Sequence, residues 1–186
     1  MTESFIPQPL TPRGKFLATA TIATTLLLWA VGIYAYRSLP AQIPVHFNAS
    51  GTPDSYGSSL TFLILPAVFS VAPLIILLLV LFRFKLITRF PYVISLPAFY
   101  MYLHDLPVER RGVWINNYFE LVMALGGEIT VYLLVLLIGT YDGMLHGHMP
   151  AWFLLFVVAF PIILLIPFFY ALSRFSQKMK HESEKK

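Results

Sequence analysis

The chain has 186 residues, 58% apolar and 12% charged, whereas soluble domains carry about 45–50% and about 25%. That composition excludes a compact water-soluble enzyme domain and a disordered chain. The absence of cysteine excludes disulfides, thiolate catalysis and cysteine-ligated metal centres. The net charge of +4 sits at the ends of apolar segments rather than in one basic stripe, so no nucleic-acid partner is expected.

Crossing about 30 Å of hydrocarbon takes roughly 20 helical residues. Four stretches meet that length, at residues 16–36, 60–82, 121–140 and 152–169. The first has a longer apolar run than a cleavable signal peptide and no small-residue cleavage site after it, so it is expected as a retained anchor. The expected fold is all-α: one integral membrane domain over residues 1–186, a polytopic bundle of four transmembrane helices surrounded by membrane lipids. An ordered extracytoplasmic cap loop (37–59) joins the first two spans, and a cytoplasmic interfacial segment (83–117) joins the next two.

Basic residues orient the chain. Arg13 and Lys15 precede the first span, five cations from Arg83 to Arg111 follow the second, and Arg174 to Lys186 follow the fourth. Positive loops stay inside, which predicts a multi-pass protein of the cell membrane with both termini cytoplasmic. The stretch 86–103 is apolar, but Arg89, Pro91 and Pro97 interrupt it, and a fifth span would put five cations outside. It is expected as an interfacial or re-entrant element, with Phe90, Tyr92, Phe99, Tyr100 and Tyr102 at headgroup level. The polar tract 104–118 is expected to be helical, and the final SQKMKHESEKK to be a solvated, fraying end.

The cap reads LPAQIPVHFNASGTPDSYGSS over residues 39–59. Pro40 and Pro44 hold their neighbours extended, and Asn48 to Gly51 is turn chemistry. Its polar side chains His46, Asn48, Asp54 and Tyr56 are candidate ligand-binding residues facing outward, a surface for a peptide or a lipid headgroup, with His46 open to pH. The same residues also suit a scaffold, in which Asn48 and Asp54 cap turns while His46 and Tyr56 tie the loop to helix ends. Asn48-Ala49-Ser50 fits the glycosylation sequon.

The run LP-x-x-IP-x-HFN-x-x-G-x-PD-x-YGS, from Leu39 to Ser58, resembles the outer segment of a prokaryotic membrane-protein family of unknown function. That family is related to SdpI-type immunity proteins, which act against a secreted peptide toxin. The resemblance implies a shared outer cap and an extracellular peptide ligand. Two features depart from it: Ser59 stands where the family often has lysine, and an SdpI-type C-terminal half is missing.

The second outer loop, TYDGMLHGHMP, gathers Asp142, His146 and His148, weak metal candidates without the spacing of a dedicated site. No metal or other cofactor is expected. Glu120 is expected at the cytoplasmic mouth of the third span, in reach of interfacial water. Glu128 lies about seven residues deeper, where a charge is costly, so it is expected to face the bundle and form an intramembrane polar site with Tyr132. Gly126-Gly127 permits close helix approach, and Pro66, Pro73, Pro161 and Pro167 are expected to bend the second and fourth spans.

The function expected is a ligand-binding, immunity-like or signalling protein using its outer cap, with a protein partner at the cytoplasmic side. The alternatives are an accessory subunit of a larger membrane complex, or a small proton-coupled transporter using Glu128. Catalysis is not expected: H-E-x-x-H, G-x-S-x-G and Walker sequences are all missing.

Overall fold

The computed structural model describes residues 5–90 and 97–185. Seven helices and one hairpin follow in chain order among them: α1 (Pro12–Ser38), β1 (Gln42–Phe47), β2 (Pro53–Ser58), α2 (Ile64–Phe69), α3 (Val71–Leu81), α4 (Arg83–Arg89), α5 (Pro97–Asp105), α6 (Val108–His146) and α7 (Ala151–Ser183). Four helical stretches are long and apolar enough to cross a membrane: α1, Ser59–Leu81, α6 and α7. The fold is an all-α polytopic bundle, and each span begins or ends for a local reason.

In α1, Thr11 is the cap. Its hydroxyl accepts the Gly14 N–H at 3.2 Å, and Pro12 takes the first helical position, where no N–H is needed. The second span is broken. A 3-10 turn over Ser59–Leu63 starts on the Ser58 hydroxyl, and Ser70 separates α2 from α3. Pro73 has no N–H for the Phe69 carbonyl, and the Ser70 N–H and hydroxyl both donate to Pro66 O, at 3.0 and 2.7 Å. The bend expected in this span is therefore a break at Ser70, while α7 continues as helix through Pro161 and Pro167.

α6 ends at Gly147, whose φ of +66° suits glycine. The His148 N–H then reaches back to Gly143 O at 3.1 Å, the longer of the two bonds of a Schellman stop. This corrects the expected second loop, because Thr140 to His146 belong to the helix and only residues 147–150 connect α6 to α7. The chain's end is corrected too. α7 runs to Ser183, and Met179, 1% exposed, is a core residue rather than part of a fraying tail.

Two compact units divide the chain. One comprises Met1–Ala18, Ile75–Leu125 and Leu165–Lys186; the other comprises Thr19–Leu74 and Gly126–Leu164. The first is centred on Leu103, Leu106, Ile115, Met123 and Met179, with Phe99, Tyr118, Trp114 and Phe175 forming an aromatic group. The second is centred on Leu28, Ala35, Ile43, Phe62 and Leu137. In the second unit α6 and α7 approach closely at Gly139, where a Cβ would stand 2.5 Å from the Phe153 ring. At Gly127 a Cβ would meet Thr21 Oγ1 at 3.4 Å, an ordinary van der Waals contact. Along α7 most apolar side chains, Leu155 and Ile162 among them, remain exposed, as helices bathed in lipid leave them.

The expected interfacial element is described in part. Residues 83–89 form α4 and 97–105 form α5, whereas Pro91 and Tyr92 lie outside the described residues. The tract 104–118 is helical from Val108, as expected.

Candidate functional site

The cap is a β-hairpin, a structure its two prolines concealed. β1 and β2 pair antiparallel, Ile43 opposite Gly57 and Pro44 opposite Tyr56, with irregularities on both sides of His46. Proline survives because a two-stranded sheet is all edge. Asn48 organises the turn: its Oδ1 accepts the Ser50 N–H at 3.0 Å, the Ser50 hydroxyl at 2.7 Å and the Thr52 N–H at 3.1 Å. Gly51 completes it with a φ of +77°, and its carbonyl accepts the Met149 N–H at 3.0 Å, fastening the turn to the α6–α7 connection.

The irregularity at His46 brings its Nδ1 to 2.5 Å from Asp54 Oδ1. Both side chains are exposed, at 67% and 45%, so the pair adds little stability and remains open to a visitor. Beside it lies a cavity of about 470 Å³. Phe47, Phe62, Leu65, Met144, Met149 and Phe153 give it apolar walls, while His46 and Asn48 stand among its polar lining. An apolar cavity with a few convergent polar groups is the usual form of a ligand site.

Of the four cap residues singled out, His46 and Asp54 are joined, Asn48 builds the turn, and Tyr56 is exposed opposite Pro44. No bond from His46 or Tyr56 to a helix end occurs among the described residues; the hairpin is fastened through Gly51 O instead, while Ser38 Oγ at the end of α1 meets the Tyr141 hydroxyl of α6 at 2.9 Å. The apolar walls were missed. At the end of α6 His146 Nδ1 lies 3.1 Å from Asp142 Oδ1, one turn earlier, and His148 lies beyond Gly147. No group of three or more metal-ligating His, Cys, Asp or Glu residues occurs among the described residues.

The carboxylates of α6 exchange roles. Glu128 and Tyr132 do not form a polar site: Glu128 is exposed, and the Tyr132 hydroxyl donates to Val157 O at 3.1 Å while its ring stacks on Phe160. Glu120, expected within reach of interfacial water, is 5% exposed. Its carboxylate accepts the Thr11 N–H at 2.8 Å, the Thr11 hydroxyl at 2.7 Å and Asn116 Nδ2 at 3.2 Å. Asn116 also donates to Pro9 O at 3.1 Å.

Arg83 completes this cluster, with Nη1 on Val80 O and Nη2 on Gln8 O, both at 2.8 Å. Burial lowers its pKa, and the nearby Glu120 charge opposes that shift. The N-terminal segment is thereby bound to α6 and to the start of α4. Arg111 likewise donates to Leu106 O and His104 O, at 3.0 and 2.8 Å. Two of the five cations between the second and third spans, Arg83 and Arg111, are therefore bound to backbone carbonyls of the fold.

Residues 23–69 match the pattern of a domain of unknown function (DUF1648). That stretch covers most of α1, the hairpin and α2. No solved structure matches the chain. An uncharacterized protein of Archaeoglobus fulgidus is 42% identical over 179 residues, which span 95% of this chain and 96% of that protein. The agreement runs from end to end, so the chain belongs to the same family as this archaeal protein, with the DUF1648 domain as its hairpin-bearing part.

Proposed function

We propose that the protein is a multi-pass receptor of the cell membrane, whose hairpin faces outward and captures a secreted peptide, as an immunity or signalling protein does. The observation that carries this reading is the cavity beside the hairpin. It joins apolar walls at Phe47, Phe62, Met149 and Phe153 to the His46–Asp54 pair, a combination suited to an apolar side chain flanked by peptide polar groups. The resemblance of the Leu39–Ser58 run to the outer segment of a family related to SdpI-type immunity proteins supports the peptide as occupant. The basic residues between the second and third spans support the orientation, because positive connections stay inside.

The test is a photo-crosslinking amino acid placed at Met149 and, as a control, at Ile162 on the exposed face of α7. Irradiated membranes of the native host should yield a peptide adduct at Met149 and not at Ile162. Adducts of lipid alone at both positions would sink the proposal.

A further inference from the structure

Glu128 is the one charged side chain within the four apolar stretches 16–36, 60–82, 121–140 and 152–169. It is exposed on α6, and no hydrogen bond or ion pair reaches it among the described residues. Tyr132, the neighbour one turn on, is committed to Val157 O. A carboxyl group at such depth needs a polar partner that lipid tails do not offer.

Exposed side chains continue the same face of α6. Counting on from Glu128 by three and four residues gives Val131, Val135 and Ile138, of which Val131 and Ile138 are 48% and 45% exposed. That 3-4 spacing is the seam along which two helices pack. The exposed face of α7 is apolar throughout its span and needs nothing but lipid.

We propose that this α6 face is the interface with a second copy of the same chain, packed parallel about a two-fold axis, with the Glu128 carboxyl groups facing each other. A copy inserted the same way brings its own Glu128 to the same depth, and a two-fold axis makes the seam self-complementary. The two carboxyl groups meet in one interhelical hydrogen bond, so each supplies the polar partner that the other lacks. Interhelical hydrogen bonds of this kind hold membrane helices together. This inference is independent of what the hairpin binds.

The cysteine-free chain allows a clean test. Val131→Cys, Ile138→Cys and, on α7, Leu155→Cys are made singly in the full chain and oxidised in native membranes. Disulfide dimers should form at 131 and 138 several-fold more than at 155. In liposomes, Glu128→Leu should weaken dimerisation by about tenfold, while Glu128→Gln, which keeps a donor and an acceptor, should preserve it. Equal cross-linking at all three positions, a monomer in liposomes, or a Glu128→Leu chain that dimerises like the parent would each overturn the proposal.

Discussion

Glu120 caps a helix from which it is 109 residues distant in sequence: its two oxygens accept the N–H and the hydroxyl of Thr11, at 2.8 and 2.7 Å. Thr11 is itself the cap of α1, since its hydroxyl accepts the Gly14 N–H. The carboxylate thus completes the end of α1, where negative charge is favoured by the helix dipole. The same side chain receives Asn116, so one buried group ties α1 to α6.

Removing that group should be costly. Hydrogen bonds to a charged acceptor contribute about 1.5–3 kcal/mol each, and a buried donor left without one costs about 1–3 kcal/mol. Glu120→Ala should lower the melting temperature in detergent strongly, and Glu120→Gln, which retains an acceptor, should lower it by less than half as much. An alanine variant that melts like the parent would show that the capping contacts contribute nothing.

Gly14 explains why the carboxylate fits. A Cβ at that position would stand 2.5 Å from Glu120 Oε1 and 2.7 Å from its Cδ. Gly14→Ala should therefore destabilise the protein, although alanine is normally the better helix residue by about 1 kcal/mol. In a Glu120→Ala background the same change should be neutral or stabilising. The double-mutant cycle, read from denaturation midpoints, should show coupling above about 1 kcal/mol; additive effects would remove the steric explanation.

The long apolar helices were legible because their composition is dictated by the bilayer and needs no knowledge of packing. The choice between the two glutamates was not. Eight residues along a helix turn the side chain by about 80°. It was enough to place Glu120 against Thr11 and Asn116 and leave Glu128 exposed. Depth along a helix is written in the sequence, whereas rotation about its axis depends on which neighbours pack there. The hairpin was hidden for another reason: QIPVHF and PDSYGS show no alternation of apolar and polar residues, and their partner is each other rather than a larger sheet. The cavity walls come from segments as far apart as Phe47 and Phe153, so no local pattern could announce them.

The His46–Asp54 pair separates binding from folding. Exposed pairs contribute about 0–1 kcal/mol, so His46→Ala and Asp54→Ala should melt within a few degrees of the parent. Both should nevertheless lose the peptide adduct at Met149 if the pair holds the ligand's polar groups. Variants that keep the adduct would reduce the pair to hairpin scaffold, whereas variants that fail to fold would contradict its exposure.

The last turns of α7 offer the sharpest contrast between sequence and structure. Met179 is 1% exposed and belongs to the core around Leu103, Ile115 and Met123. Arg110 reinforces the docking, with Nε and Nη2 on the two oxygens of Glu182 at 2.6 and 3.0 Å. This end lies beyond the apolar part of α7, so burying a methionine there draws on the hydrophobic effect, unlike packing between lipid-bathed faces. Met179→Ala should cost about 2–5 kcal/mol, the range for a buried Met-to-Ala truncation. Lys178→Ala, at an exposed neighbour, should change little. Limited proteolysis gives an independent reading: the parent should resist cleavage after Lys178 and Lys180, and Met179→Ala should be cut there readily. Rapid cleavage of the parent at these lysines would mean that the end of α7 is not docked.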